Sequence, residues 1–444
     1  MLLLVVCVIV AAASLPVASA LSYDAWGWLL WGRELAGPLP FTTLAYPSWK
    51  PLTGLIAIPL APLGNAAPWV WLLIVRAAAA VAVVLAYRLG RRAAGPWAGA
   101  LAAVALALVH GWLFEAGVGE SEPLLTALLL GALDRHLDGR DGTGLALTFL
   151  AALLRPESWP LLAVSGVVAW RRRPSLRPWV GAALLAVPAL WFGGDYLGSG
   201  SPFTGGHLAR ISKQARTIQH GAAAPALVVL ERALHIVPAV VLAGVPVALV
   251  AGLRRRDPLL LVLCGAAVLW TLEVAAMAAL GYAGIDRFLY PAAAAAAIAG
   301  AAGLAILVRA PSRQFARTAL AGAAIAAVAV SAAVLVPRTG RETATIERRA
   351  DLAESLNAIM ATAPPRAFTT ADRVSVQGIE ATALAWRLGV VPQDLGHAGA
   401  PGVALEINDV PWARFERRVA LGHLRVRPLA RNRELSLVSV TRPQ

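Results

Sequence analysis

Long apolar runs separated by clusters of arginine constrain this 444-residue chain more than any other feature of its sequence. A transmembrane helix needs about 20 apolar residues, and most of the runs approach or exceed that length. The composition agrees, since 58% of the residues are hydrophobic and 14% are charged, against about 25% charged in soluble domains. We therefore predict a mainly α, polytopic membrane helix bundle. The apolar runs are Leu2–Ala20, Ala66–Leu89, Pro96–Trp112, Pro123–Leu137, Gly144–Leu154, Trp159–Trp170, Trp179–Leu197, Ala224–Leu253, Pro258–Gly281, Phe288–Val308 and Ala319–Val336.

The arginine clusters predict which ends of the spans face the cytoplasm, because cytoplasmic loops of membrane proteins are enriched in arginine and lysine. We predict about 11 spans. If the N-terminus is cytoplasmic, every arginine cluster then lies on the cytoplasmic side of the membrane. The net charge of +14 comes almost wholly from arginine, so we assign it to topology and predict no nucleic-acid partner. The clusters are Arg88, Arg91 and Arg92; Arg135 and Arg140; Arg171, Arg172, Arg173 and Arg177; Arg254, Arg255 and Arg256; and Arg309, Arg313 and Arg317.

Two runs and the N-terminus need separate treatment. Gly144–Leu154 and Trp159–Trp170 are each too short to cross alone unless they are tilted or enclosed by protein. If they formed one crossing, the later arginine clusters would fall on the outer side. We therefore expect two short helices that meet near the outer surface with a break at Pro156. The first run ends in Ala18-Ser19-Ala20 but has no positively charged region before it. We expect an uncleaved first span, and a cleaved signal peptide is the alternative.

The composition changes sharply at Arg338, where charged residues become frequent. We predict a membrane domain over residues 1–337 and a small extracytoplasmic α+β domain over residues 338–444. Its helix carries one apolar stripe, and its strands are expected around Leu424 and Val426 and over residues 435–440. The stripe consists of Leu352, Leu356, Ile359 and Met360. Without a motif of its own, this domain is expected to pack over the outer face of the membrane domain.

The loop Tyr23–Leu52 is the least membrane-like part of the first 90 residues, because it mixes four charged residues with four tryptophans. On a helix, Asp24, Trp28 and Trp31 fall on one face, which places a carboxylate at the edge of an aromatic shelf. We interpret this loop as the floor of a reaction site. An interfacial helix that anchors the first hairpin is the alternative, since tryptophan favours the membrane–water boundary.

The charges that topology does not explain converge on the outer side, which indicates a site that opens there. Arg210, Lys213 and Arg216 oppose the positive-inside preference, and either an anionic ligand or contact with lipid headgroups explains them. Glu120 and Glu122 are two positions apart, so only one of them is expected to face the cavity, and capping of the following helix is an alternative role. The other outer charges are Asp24, Glu34, Lys50, Glu115, Arg155, Glu157, His207, His220, Asp286 and Arg287.

Arg155 and Glu157 are expected to form an ion pair that braces the two short helices.

Other kinds of site find no support in the sequence. No cluster of His, Asp or Glu has convincing metal-ligand spacing, no glycine-rich phosphate loop precedes a helix, and no nucleophilic triad is readable. Both cysteines, Cys7 and Cys264, lie in apolar runs, so neither a disulfide nor a cysteine metal site is predicted.

Four segments in this order resemble the GT-C superfamily of integral-membrane glycosyltransferases, which includes family 39 mannosyltransferases and aminoarabinose transferases. They are YDAWGWLLWGREL in the first outer loop, GESEPLL before the fourth span, LLRPESWPLL at the break between the short helices, and GIDRFLYP before a late span. Together they extend along almost the whole membrane domain. The resemblance implies transfer of a sugar from a polyprenyl-phosphate donor to a glycan, lipid or protein acceptor at the outer face of the cytoplasmic membrane.

The resemblance also implies roles for individual residues. Asp24 would take the proton of the acceptor hydroxyl, and Glu122 or Glu120 would stabilise an oxocarbenium-like transition state. The donor phosphate would be bound by cations chosen among Arg287, Arg155, Arg210, Lys213 and Arg216. Many relatives carry a second acid directly after the first, where this chain has Ala25. No cofactor is expected, and the altered motif leaves open whether a divalent cation takes part.

Two other functions are consistent with the same features. A transporter or flippase for a lipid-linked or anionic solute is the main alternative, although its site would lie near the membrane midplane between repeats. A non-catalytic scaffold or receptor with an outer binding domain is the second. The arginine-rich, lysine-poor composition is typical of a GC-rich bacterial genome.

Overall fold

The computed structural model describes residues 2–17, 19–37, 39–44, 47–221, 224–310, 313–363, 374–376, 380–395, 402–407 and 425–441. Most of the described chain is α-helical, with four short strands near the C-terminus. The helices are α1 Leu2–Ser14, α2 Tyr23–Ala36, α3 Pro51–Ala57, α4 Ala67–Ala94, α5 Pro96–Ala107, α6 Trp112–Gly117, α7 Glu122–Leu137, α8 Asp141–Leu154, α9 Trp159–Arg172, α10 Arg177–Ser199, α11 Thr204–Ile211, α12 Lys213–Gly221, α13 Pro225–His235, α14 Ala239–Leu242, α15 Gly244–Arg255, α16 Pro258–Ala279, α17 Tyr290–Arg309, α18 Gln314–Thr362 and α19 Glu380–Leu388. Short 3-10 helices cover Ile58–Ala66, Pro156–Ser158, Pro174–Leu176, Asp286–Leu289 and Pro392–Asp394.

The apolar helices identify a multi-pass membrane protein. Among the described helices, five are long and apolar enough to cross a bilayer, and the number rises to six if one bent pair counts as a span. Three shorter apolar helices are α1, α5 and α8. Helix length does not fix which of the shorter helices cross, so the count of about 11 spans stays a prediction. The first helix is shorter than the run Leu2–Ala20, since it ends at Ser14, two residues before Pro16.

Helix breaks occur beside proline at two places in the bundle. The predicted break at Pro156 is observed, because α8 ends at Leu154 and the 3-10 turn Pro156–Ser158 leads directly into α9. The run Ala224–Leu253 was expected to be one span, but it is divided into α13, α14 and α15 with a bend of 98°. Pro238 explains this difference, since proline lacks the amide hydrogen and clashes with the preceding helical turn.

Helix α17 forms the centre of the bundle, and every residue from Tyr290 to Ala305 is buried. Its alanines and glycines allow the backbones of α14 and α15 to approach closely, as in other small-residue packing of membrane helices. A Cβ atom on Gly300 would lie 2.0 Å from the carbonyl oxygen of Val241, and one on Gly303 would lie 1.9 Å from that of Gly244. This tight packing fixes α17, and therefore the segment Asp286–Leu289 that precedes it.

The C-terminal part combines a long helix with a small sheet. Helix α18 continues through residues 337 and 338 without a break, so no helix end marks the predicted domain boundary. The strands are β1 Val374–Val376, β2 Gly402–Ile407, β3 Arg425–Arg431 and β4 Leu435–Thr441, in the order β1-β2-β4-β3. Strands β1 and β2 are parallel, and the other pairs are antiparallel. The strands expected near Val426 and over 435–440 are thus present, while Leu424 lies outside the described residues.

The C-terminal part packs against helix α2 of the membrane part. The predicted stripe on α18 is buried at Leu352, Leu356 and Ile359, and these side chains share an apolar cluster with Trp26. The Trp26 ring lies 5.8 Å from that of Trp386 on α19. This packing fixes the helix that carries Asp24.

Candidate active site

Arg287, in the 3-10 turn before α17, is surrounded by four carboxylates. Its Nη2 lies 2.8 Å from Asp24 Oδ2, and its Nη1 lies 2.5 Å from Glu120 Oε1 and 3.9 Å from Glu115 Oε2. Its Nε lies 3.8 Å from Glu122 Oε1. We call these five residues the Arg287 cluster. It joins three of the four sequence segments that carry the GT-C resemblance, and it contains four of the residues predicted to form the site.

Backbone contacts hold the acids in place. Ser22 caps α2 by accepting a hydrogen bond from the Ala25 amide, at 3.1 Å. The Ser22 amide donates to the Val118 carbonyl at 2.9 Å, and the Glu120 amide donates to the Glu115 carbonyl at 2.9 Å. The start of α2 is therefore tied directly to the loop between α6 and α7, which brings Asp24 beside Glu120.

The expectation that only one of Glu120 and Glu122 faces the site is wrong. It assumed that both residues belong to one helix, whereas α7 begins at Glu122 and Glu120 lies in the preceding turn. Both side chains are buried and both reach Arg287. Glu122 does stand in the first turn of α7, next to Pro123, as the capping alternative proposed.

Arg155 and Lys50 extend the site on the side of Glu122. The Arg155 guanidinium contacts Glu122, lies 3.3 Å from Glu157 Oε1, and stacks 3.7 Å from the centre of the Phe288 ring. Arg155 therefore forms the predicted pair with Glu157 and also joins the site. The Lys50 Nζ donates to Ser121 Oγ at 3.1 Å and lies 4.6 Å from the Trp28 ring.

Sequence reasoning placed Lys50 among the outer charges but did not include it among the phosphate-binding residues. The chain contains only one other lysine, and this rarity between Trp49 and Pro51 is the signal that identifies Lys50. The side chain is buried, and its burial lowers the pKa of the amine while the nearby Glu122 carboxylate opposes that shift.

The site holds more acids than cations. Burial raises the pKa of Glu115 to about 8 and that of Glu120 to about 7, although Arg287 opposes both shifts. Several buried polar atoms also lack a hydrogen-bond partner among the described residues, namely Glu120 Oε2, Glu157 Oε2, Arg287 Nε and Trp28 Nε1. Native structures contain few such atoms, and they concentrate where ligands bind or chemistry occurs.

The predicted cations Arg210, Lys213 and Arg216 stand apart from this cluster. They lie on α11 and α12 and are exposed. These helices pack near the end of α16, where the Arg210 guanidinium lies 5.6 Å from the Tyr282 ring and Gln219 bonds the Ala278 carbonyl. In the part of the chain that the structure describes, no ion pair joins them to Arg287 or its acids. Their role in phosphate binding stays a prediction.

The aromatic shelf is present, but it is buried in protein. Trp28 and Trp31 are fully buried, and their rings pack 5.5 Å from Trp71 and 4.8 Å from Trp49, respectively. These rings cannot lie among lipid headgroups, which argues against a purely interfacial anchor. Across the described ranges, no group of three or more His, Cys, Asp or Glu side chains is arranged to hold a metal ion.

Comparison with known proteins identifies the fold. No protein-family profile and no curated protein matches the sequence. Two structures of ArnT from Cupriavidus metallidurans match 100% of this chain and 99% of their own: the complex with undecaprenyl phosphate at 15% identity and a TM-score of 0.63, and the apo state at 16% and 0.58. AglB from Archaeoglobus fulgidus, in complex with an inhibitory peptide and a dolichol-phosphate, matches 78% of this chain and 55% of its own at 13% identity and a TM-score of 0.45, too low to add to the assignment. The chain therefore has the fold of ArnT.

Proposed function

We propose that this protein is a membrane glycosyltransferase that moves a sugar from a polyprenyl-phosphate donor to an acceptor at the outer face of the cytoplasmic membrane. The carrying observation is the Arg287 cluster, in which acids from the first outer loop and from the loop before α7 converge on one partly buried guanidinium. The fold of ArnT, whose solved complex contains undecaprenyl phosphate, supports the class of donor.

Asp24 is the general base in this proposal. Its Oδ2 accepts from Arg287 at 2.8 Å, and within the described chain no hydrogen bond engages its Oδ1. The carboxylate is therefore oriented by one oxygen and free to act through the other. As the acceptor oxygen bonds to the anomeric carbon of the sugar, Asp24 takes the hydroxyl proton and the bond from that carbon to the phosphate oxygen breaks.

The remaining charges stabilise the two other parts of the transition state. Lys50, Arg155 and Arg287 neutralise the departing polyprenyl phosphate, since preorganised cations in a buried site act strongly on developing negative charge. Glu122 stabilises positive charge on the sugar ring, and Glu120 provides a second carboxylate. Arg210, Lys213 and Arg216 are assigned to attracting the anionic lipid headgroup towards the site rather than to contact with the phosphate at the moment of transfer.

A transporter or flippase for a lipid-linked or anionic solute is the second candidate. The bend of 98° between α13 and the helices that follow it adds a second broken segment to the one at Pro156. Broken helices in both halves of a membrane bundle are typical of secondary transporters. The charged cluster, however, lies at helix starts and loops rather than in the middle of these broken segments.

Transfer of labelled sugar by the purified protein in lipid, from a panel of polyprenyl-phosphate sugars, tests the proposal. Asp24→Asn is expected to lower transfer at least about a hundredfold while the protein stays folded. Asp138→Asn, at the far end of α7, is the matched control and should leave transfer unchanged. Full activity of Asp24→Asn would remove the assigned base. Movement of an intact lipid-linked solute across the bilayer, without transfer from any donor, would favour the transporter.

A further inference from the structure

A second charged region adjoins the Arg287 cluster. A cavity of about 540 Å³ lies between the loop before α6, the helices α13 and α18, and the turn that carries Arg287. Glu115 and Arg287 belong both to its wall and to the cluster, so the cavity opens directly onto the candidate active site. Nothing in the proposed transfer mechanism uses its other residues.

Three arginines that the mechanism does not use line this cavity, namely Arg232, Arg338 and Arg341. Arg232 is partly engaged, since its Nε lies 3.5 Å from Asp286 Oδ1 and its Nη1 donates to the Gly284 carbonyl at 2.6 Å. Arg338 and Arg341 are on α18, and within the described ranges neither has a carboxylate oxygen within 4.0 Å. Both arginines interact electrostatically with Glu342, which also lines the cavity, but among the described residues neither is held in a direct ion pair. Two guanidinium groups that face a cavity without a direct ion pair are suited to binding oxyanions.

His110 holds Arg338 in place without neutralising it. The Arg338 guanidinium contacts His110 Nε2, and because arginine only donates hydrogen bonds, Nε2 must be the acceptor and Nδ1 must carry the proton. That Nδ1 lies 3.7 Å from Glu342 Oε1 and has no hydrogen-bond partner. Burial and the nearby Arg338 charge lower the pKa of His110. An imidazole that accepts through Nε2 is neutral, so the positive charge of Arg338 stays available.

We propose that this cavity is a second anion subsite, in which Arg232, Arg338 and Arg341 bind a phosphate or carboxylate substituent of the acceptor. This assignment rests on the proposed glycosyltransferase function and adds the chemical class of its acceptor. The substituent is distinct from the hydroxyl that Asp24 deprotonates. The part of α18 from Arg338 onwards, which the sequence assigned to a domain with only a packing role, then selects the acceptor.

The lining of the cavity favours the acceptor over the donor as the source of this anion. Its apolar side chains are limited to Phe114, Ile285 and the ring of Tyr290, which is too little surface to cover a polyprenyl chain beside its phosphate. The donor phosphate also has its own cations, Lys50 and Arg155. These contact Ser121 and Glu122, whereas the cavity borders the cluster at Glu115 and Arg287. Two anion subsites that share Arg287 would place the acceptor and the donor on opposite sides of its guanidinium.

Direct binding measurements test the subsite without requiring turnover. The full-length protein in nanodiscs is saturated with undecaprenyl phosphate and titrated with inorganic phosphate, followed by tryptophan fluorescence or calorimetry. The double variant Arg338→Gln/Arg341→Gln is expected to weaken phosphate binding by roughly tenfold or more, because it removes two charge-assisted contacts. Its affinity for undecaprenyl phosphate should stay within about twofold of the wild type. Arg348→Gln, an exposed arginine of α18 outside the cavity, is the control for lost charge and should change neither affinity.

Each outcome decides the assignment. Selective loss of phosphate binding in the double variant supports the acceptor subsite. Loss of undecaprenyl phosphate affinity in the same variant, or competition between the lipid and inorganic phosphate, would assign the cavity to the donor and overturn the proposal. Equal phosphate affinity in all variants, or none in the wild type, would show that the cavity is no anion subsite. A wild type that binds phosphate here but transfers no sugar from any donor would retain the site and reject the glycosyltransferase function.

Discussion

The two ends of α7 carry two charge clusters that differ in balance. At its start, Glu122 belongs to the Arg287 cluster, in which four carboxylates share one guanidinium. At its end is the Asp134 cluster, which consists of Asp134 and Asp138 with Arg88, Arg92 and Arg135. Asp134 is fully buried, yet Arg88 Nη2 lies 3.2 Å from its Oδ2 and Arg92 Nη2 lies 3.4 Å from its Oδ1.

The ratio of acids to cations distinguishes a cluster with a structural role from a cluster whose charges are available for chemistry. Among the described residues, no buried side-chain atom of the Asp134 cluster lacks a hydrogen-bond partner, whereas Glu120 Oε2 and Arg287 Nε both do. The Asp134 cluster has more cations than acids, so each acid is neutralised. The Arg287 cluster keeps an excess of acids in a buried site, which is costly for folding and useful for proton transfer. The predictions below test this contrast.

Neutralising Arg287 should produce the largest effect. Arg287→Gln leaves four acids facing a neutral amide, and we expect sugar transfer to fall about a hundred- to a thousandfold. The free energy of unfolding should also fall by roughly 3–5 kcal/mol, because buried carboxylates lose their partner. Transfer assays and thermal unfolding of the purified variant measure both effects.

Arg287→Lys separates the loss of sugar transfer from the loss of stability, because it keeps the positive charge and removes the planar guanidinium. We expect this variant to fold nearly as well as the wild type and still to transfer sugar poorly, since one ammonium cannot contact Asp24 and Glu120 as a guanidinium does. Arg88→Gln, on α4 in the Asp134 cluster, is the control. Unchanged transfer by Arg287→Lys would mean that only the charge of this residue matters.

Glu122→Gln should have the next largest effect on activity. It removes a carboxylate that contacts Arg155 and lies 3.8 Å from Arg287, and we expect transfer to fall about a hundredfold. Asp134→Asn is the matched change at the other end of the same helix. It should lower the unfolding temperature without changing kcat of the folded fraction, and a comparable loss of kcat in Asp134→Asn would erase the functional distinction between the clusters.

Much of this arrangement was predictable from sequence, because the predicted topology puts Asp24, Glu122, Arg155 and Arg287 on the same side of the membrane. What sequence did not provide is contact between distant loops. The hydrogen bond from Ser22 to Val118 brings Asp24 beside Glu120, and nothing in the local pattern of either segment encodes it.

The incorrect expectations have equally local causes. Glu120 and Glu122 were compared as if both lay on one helix, whereas α7 begins at Glu122 and Glu120 precedes it. The run Ala224–Leu253 was treated as a single span because its apolar length outweighed Pro238. Proline alone does not decide the outcome, because Pro188 in α10 and Pro337 in α18 lie inside continuous helices.

The pH dependence of stability should distinguish the clusters further. Burial raises the pKa of Glu115 from 4.5 to about 8, so the folded state keeps a proton that the unfolded chain releases. This contribution to stability is complete below about pH 4.5 and is lost as the pH rises towards 8. Glu115→Gln removes the ionisation, and we expect it to be more stable than the wild type at pH 8 by at least about 1 kcal/mol.

Unfolding of Glu115→Gln and of the wild type, followed by tryptophan fluorescence in detergent between about pH 5 and 8, provides the measurement. The wild type should lose stability across this window and the variant should lose less. If the unfolding free energies of the two proteins changed in parallel with pH, Glu115 would not titrate in this range. The excess of acids near Arg287 would then be compensated in another way.

The smallest effect is expected from Asp138→Asn in the Asp134 cluster. The Asp138 side chain is partly exposed, and its partners Arg92 and Arg135 also contact Asp134, so losing one carboxylate leaves both arginines paired. The pKa of Asp138 is lowered by its hydrogen bond with Arg92, but exposed pairs contribute only about 0.2–1 kcal/mol. We expect a change in unfolding free energy below about 1 kcal/mol, reduced further at high salt, and unchanged sugar transfer. A loss of transfer in a stable Asp138→Asn protein would mean that the far end of α7 is coupled to the Arg287 cluster through the helix, and that a balanced ion cluster is not by itself a sign of a purely structural role.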